Sequence, residues 1–237
     1  MSAPAGTNQK SNDSRFMHTA IVYYDLETTG LNTHTAETIE LAAQIDPACK
    51  QAYEAYFRAN RDWQSLPVVS DTFEALVCPD SGAIPEGASK VNGIFIDHVK
   101  DKPKFGDVAA QFVEWLQKWR QWCPPTCEKI LVVAHNNFDY DSRILMRQCI
   151  KHKVALPDFV SFEDSLVAFR ECFPFPQRRY NMQALTNLWV PKDSRLVQDH
   201  RAASDVKMLI LVIQRCPDVV CFLDTLVRQQ LQPWKPK

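Results

Sequence analysis

The sequence predicts one α/β domain, a mixed sheet flanked by helices, and three observations carry that reading. β-branched and aromatic runs cluster in the first third of the chain. Helical periods dominate the second half. Between helices lies Lys-Ile-Leu-Val-Val-Ala at 129–134, a short continuous apolar run of the kind found in a strand buried on both faces. Strands first, helices last and a buried strand between helices describe a mixed sheet. The 237 residues, 46% hydrophobic and 23% charged, suffice for one sizeable core.

The elements follow in order. Residues 1–17 are polar and read as a tail. Residues 18–25, HTAIVYYD, have strand composition, and Thr28-Thr29-Gly30 turns the chain. Residues 38–46 read as a second strand. Residues 49–66 suit a short helix or a strand, because Tyr53, Tyr56 and Phe57 fit both. Residues 72–78 read as a strand that stops at Pro79-Asp80, followed by a Pro/Gly/Ser-rich connection to about 87. Apolar positions 105, 108, 109, 112, 116 and 119 keep a helical period, and Pro124-Pro125 ends it. Phe112, Trp115, Leu116, Trp119 and Trp122 read as its core-facing row. Further helical patterns cover 139–151, 164–171, 181–189, 200–215 and 217–230. A single domain over 18–231, with a short tail at 232–237, is the expectation.

Composition excludes several classes. No apolar run approaches the ~18 residues of a membrane helix, and the opening stretch lacks the apolar core of a secretory signal. An intracellular site, cytoplasm or nucleus, is expected. The six glycines are too scattered for a dinucleotide fingerprint or a Walker loop. A formal charge of −1 rules out bulk attraction to nucleic acid, although residues 143–207 carry an excess of about four positive charges. Arg178, Arg179, Lys192 and Arg195 are either phosphate contacts or solvated surface. The eight cysteines read as reduced and structural. Cys123, Cys127, Cys216 and Cys221 are too loosely spaced, and too far from histidine, to argue for zinc.

Three polar constellations stand out. Asp25 and Glu27 are two apart at a strand end, so both carboxylates face one side and would welcome a hard cation. His135-Asn136-Asn137-Phe138-Asp139 follows the buried strand, where α/β proteins place ligands. There Asn137 is expected to cap a helix with Asp139 in its first turn, although Asp139 and Asp141 could also merely complement that helix end. His200 and Asp205 are five apart, about 140° around a helix, so they share a site only if His200 precedes the helix.

The order Asp-x-Glu, Asp, His-x4-Asp resembles the DEDDh family of 3′–5′ exonucleases. Tyr24-Asp25-Leu26-Glu27-Thr28-Thr29-Gly30-Leu31 resembles its first motif, Ala134 to Asp139 its second and His200 to Asp205 its third. Ile84-Pro85 and Ala88 to Ile94 resemble the segment lying against the terminal nucleotide, and Asp164-Ser165-Leu166 the segment after the fifth strand. The chain is nearest to the three-prime repair exonuclease branch and the exonuclease-like region of PML proteins. Residues 47–70 depart from the commoner bacterial pattern as a longer insertion.

The resemblance implies a ribonuclease H-like fold with a mixed five-stranded sheet and helices on both faces. It implies a metal-dependent 3′–5′ exonuclease using two Mg²⁺ ions, with Mn²⁺ able to substitute. Asp25, Glu27 and Asp205 would hold one ion and the attacking water. Asp25 and Asp139 would hold the other, and His200 would be the general base. Thr28, Asn92, Gly93, Ile94, Phe95, His135 and Asn136 are the substrate-side candidates, with Phe95 suited to stacking on a base. Phe138 reads as core. The expected partner is a single-stranded or frayed 3′ end, DNA more than RNA, and a homodimer is possible. The competing reading is an inactive nucleic-acid-binding module on the same fold.

Overall fold

A computed structural model describes residues 18–60, 65–174, 179–194 and 200–229. Five strands form one sheet: β1 (Thr19–Thr28), β2 (Thr38–Ile45), β3 (Thr72–Leu76), β4 (Lys129–Ala134) and β5 (Val160–Asp164). The order is β3-β2-β1-β4-β5. β2 runs antiparallel to β1 and β3, while β4 runs parallel to β1 and β5, so the sheet is mixed. β1 is the centre, paired on both edges, and its residues from Thr19 to Tyr24 are buried. The expected tails at 1–17 and 232–237 lie outside the described residues, as do Arg178 and Arg195.

Nine helices are described: α1 (Pro47–Asn60), α2 (Glu86–Asn92), α3 (Ile96–Val99), α4 (Phe105–Trp122), α5 (Asp141–His152), α6 (Ser165–Cys172), α7 (Met182–Trp189), α8 (Ala202–Ile213) and α9 (Pro217–Gln229). Register shows that they cover both faces. Tyr24 lies opposite Ala43, and Ala43 opposite Phe73, so these three share a face. Phe73 packs there against Phe112 and Trp115 of α4. Asp25, Glu27 and Glu40 alternate to the other face, where Glu40 bonds the start of α8.

The row Phe112, Trp115, Leu116 and Trp119 is buried, as its period predicts. The indole N–H groups find acceptors on the chain before β3: Trp115 and Trp119 donate to the Ser70 carbonyl, and Trp122 donates to that of Pro67. Residues 67–70 at the end of the 47–70 insertion are therefore hung from α4, and its first half is helix α1. This settles the ambiguous segment 49–66 in favour of helix up to Asn60. The connection after β3 also holds two short helices, α2 and α3, that periodicity did not reveal. All eight cysteines are free, and six are buried. Among the described residues, no helix is long and apolar enough to cross a membrane.

Candidate active site

The parallel strands β1, β4 and β5 all end at the same edge of the sheet: Tyr23 lies opposite Val133, and Ala134 opposite Asp164. Functional side chains in open α/β sheets gather outside such an edge. Asp25 and Glu27 project there from the last turns of the β1 pleat, half-buried and on one face. Asp205 comes from the first turn of α8. One ligand oxygen from each of these three carboxylates lies within 4.8 Å of the others. Strand alternation brings the first two together, and the packing of α8 brings the third from 178 positions further along the chain.

Electrostatics follow from this crowding. Burial, then the charges of Asp141, Asp205 and Glu27, hold Asp25 well above the usual carboxylate range. Burial, then Asp205 and Glu40, push Glu27 up to about 8, against a lowering hydrogen bond from Asn92.

Asp139 is not part of this group. Its side chain is 75% exposed and pairs with Arg143 at 3.2 Å. The physical reason lies in the turn. Residues 135–140 form turns rather than helix, and α5 starts only at Asp141. Asn137 does not cap the helix with its side chain. Its amide donates to the Val132 and Glu163 carbonyls and accepts from the Tyr24 hydroxyl, clamping three strands. Asp141, two residues beyond Asp139, is buried, and its Oδ1 accepts the Leu26 N–H at 3.3 Å. Its carboxyl is pushed up to about 8 by burial and by Asp164 and Asp205. Asp141 is the residue that the sequence pattern passed over; the signal available was the length of the turn.

The turn itself is rigidly held. Asp164 accepts N–H groups from Asn136, Phe138 and Leu166. Asn136 has φ 64°, a left-handed value that asparagine tolerates better than most residues. The Tyr140 hydroxyl donates to the Gly30 carbonyl and meets the Thr28 hydroxyl, tying this turn to the one after β1.

The remaining candidates divide. His135 does not face outward: one ring nitrogen meets the Ser165 hydroxyl at 2.9 Å and the other the Tyr180 carbonyl at 2.7 Å. Burial lowers its pKa. Ile94 is buried with Ile39 and Val99 in a small satellite core. The Thr28 hydroxyl is spent on its own turn. Asn92 is buried yet reaches the site: its carboxamide bonds Glu27 and lies 3.5 Å from the Thr28 carbonyl. Gly93 closes α2 at φ 68°, a conformation suited to glycine, and so aims the next residues. Phe95 is 51% exposed, edge-on to His98. Phe138 packs against the main core, as expected. His200 is exposed and precedes α8, at φ 51°. This is the placement that lets it share an edge with Asp205.

Comparison with known proteins identifies the family. Residues 22–213 match the family model RNase_T, described as exonuclease. The chain is 26% identical over 224 residues to three prime repair exonuclease 2 of Mus musculus, covering 90% of this chain and 89% of the relative. It is 25% identical over 198 residues to the DNA polymerase III epsilon subunit of Treponema pallidum (strain Nichols), covering 81% and 73%. Among solved structures, E. coli exonuclease I in complex with a dA16 oligonucleotide superposes with a TM-score of 0.59 at 17% identity, covering 88% of this chain and 43% of that one. That likeness concerns the fold, and this chain spans less than half of that enzyme.

Proposed function

The chain belongs to the RNase_T exonuclease family and is a 3′–5′ exonuclease; on that premise we propose that it trims single-stranded or frayed 3′ ends, DNA in preference to RNA, with two divalent ions and His200 as general base. The observation that carries this reading is the convergence of Asp25, Glu27 and Asp205 within 4.8 Å.

The residues fit such ions. The donors are all carboxylate oxygens, the preference of Mg²⁺ and Mn²⁺. Their mutual repulsion is the kind a bound cation relieves. Asp25, Glu27 and Asp205 would hold one ion, and Asp25 with Asp141 the other; Asp141 takes the role first expected of Asp139. When bound, such ions offset phosphate charge and make a water acidic enough to attack at neutral pH.

The protein's own groups do the rest. His200 accepts a proton from the attacking water and, being exposed, passes it to solvent. The water oxygen bonds to phosphorus, the bond from phosphorus to the 3′ oxygen breaks, and that oxygen is protonated from solvent. A nucleoside 5′-monophosphate leaves. Asn92 orients the Glu27 carboxylate, and Phe95 offers a face for the terminal base.

The test is digestion of matched DNA and RNA single strands, labelled at either end, with Mg²⁺ or with EDTA. Single nucleotides should leave the 3′ end with Mg²⁺ alone, faster from DNA, and not at all with Asp205→Ala. Faster loss from RNA would reverse the substrate preference. Intact strands throughout would sink the reading.

A further inference from the structure

We propose that Glu40 and Arg201 form a positioning latch that fixes the first turn of α8, and with it Asp205, against the carboxylates of β1. This rests on the metal-dependent exonuclease reading above.

Glu40 sits directly opposite Glu27 in the β1–β2 ladder. Opposed side chains in an antiparallel pair share a face, with Cβ atoms roughly 4.5–5.5 Å apart. A second carboxylate beside the site would ordinarily add repulsion or compete for a cation. Glu40 is only 6% exposed, and a buried carboxylate needs a partner. It has two, both at the start of α8. Oε2 accepts Arg201 Nε at 3.0 Å and the Ala202 N–H at 3.0 Å, while Oε1 accepts Arg201 Nη2. The fork of the guanidinium is thus matched to both oxygens, a geometry lysine cannot reproduce.

The position of this pair matters more than its strength. Arg201 is the N-cap residue of α8, and its own side chain caps nothing. The first N–H of the helix is instead satisfied from β2, 162 residues away. The start of the helix is therefore registered to the sheet rather than to its own loop. From there the link to the site is short: the Asp205 N–H donates to the Arg201 carbonyl at 3.0 Å. His200 precedes Arg201 directly, at its left-handed φ. One ion pair so sets the placement of a ligand and of the proposed base relative to β1, and it neutralises the carboxylate that would compete with Glu27.

The experiment is Mn²⁺ binding by calorimetry on the full chain, together with kcat, KM and metal-free Tm, for wild type, Arg201→Ala, Glu40→Gln and the double variant. Partners that orient metal ligands typically contribute 10–100-fold to affinity. The latch predicts Mn²⁺ binding weakened at least ~10-fold in each single variant, with kcat lowered and the KM for a DNA strand changed less than about threefold. The double variant should be no worse than the worse single one, because the two act as a unit. Wild-type Mn²⁺ affinity in Arg201→Ala overturns the latch, and so does additive loss in the double variant. Should Arg201→Ala not fold, Arg201→Lys decides: several-fold weaker Mn²⁺ binding supports the fork, and wild-type affinity overturns it. A wild-type chain that neither binds Mn²⁺ nor digests DNA would instead remove the exonuclease reading itself.

Discussion

Asp25 and Glu27 are two residues apart, and so are Asp139 and Asp141. The first pair lies on a strand, and its carboxylates share one face of the sheet edge. The second pair spans the end of a turn and the start of a helix, and its members part company. Asp139 is exposed and ion-paired with Arg143, while Asp141 is 3% exposed and bonded to β1. Identical spacing means opposite things on different backbones. Alternation is a rule of extended chain alone, and the direction of a residue beyond a turn depends on how long the turn runs.

The sharpest way to break this comparison is to remove the charge from each aspartate of the second pair. Asp141→Asn should lower kcat on the order of 10²–10³-fold, the scale for losing one group that supports charge in the transition state. Asp139→Asn, which loses only an exposed ion pair, should stay within about twofold. Steady-state rates on a single-stranded DNA settle it, and the reverse ranking would restore the simpler reading of the second motif.

His200→Ala tests the helix start rather than the strand. Turnover should fall at least ~100-fold with Mn²⁺ affinity retained, because a base is lost and a ligand is not. Wild-type turnover in that variant would take His200 out of the mechanism.

The neighbours Ile94 and Phe95 repeat the lesson of adjacent residues with opposite fates. Phe95→Ala should raise KM roughly fivefold or more, since stacking on a base is worth about 1–3 kcal/mol. Its Tm should hardly move. Ile94→Ala should do the opposite, costing about 2–4 kcal/mol of stability by opening a cavity in the small core. Chemical denaturation and KM measured on both variants would expose an exchange of roles.

The smallest effect is on pH dependence. Glu27 and Asp141 both titrate near 8 in the metal-free fold, above their usual range. The folded chain then binds more protons than the unfolded one between about pH 4 and pH 8. Metal-free stability should therefore be greatest below that window and decline as pH rises through it. Mn²⁺ competes with those protons, so the Tm increment it gives should grow over the same range. A metal-free Tm that climbs steadily from pH 5 to pH 8 would contradict the buried-carboxylate picture.

Much of this was legible in the sequence, for reasons that differ by element. The helix at 105–122 was readable to the residue because its apolar period is regular and Pro124-Pro125 ends it. β1 was readable from composition, though it runs on to Thr28. β5 was not, because Val-Ser-Phe-Glu-Asp at 160–164 is half polar, and its strand state comes from pairing with β4. Asp25, Glu27 and Asp205 were legible because strand alternation and motif order agree. The partners of His135 were not legible, since nothing local announces Ser165 and Tyr180. The burial of Ile94 was not legible because Ile39 and Val99, which bury it, come from other elements. The Glu40–Arg201 pair spans 161 residues and leaves no local pattern at all.

The most decisive experiment on this site is a time course on one 5′-labelled DNA strand with Mg²⁺, run side by side for wild type, Asp139→Asn and Asp141→Asn. A ladder that shortens one nucleotide at a time from the 3′ end is expected for wild type and Asp139→Asn, and an intact strand for Asp141→Asn. An intact strand with Asp139→Asn beside a full ladder with Asp141→Asn would contradict the site built here from β1, α5 and α8.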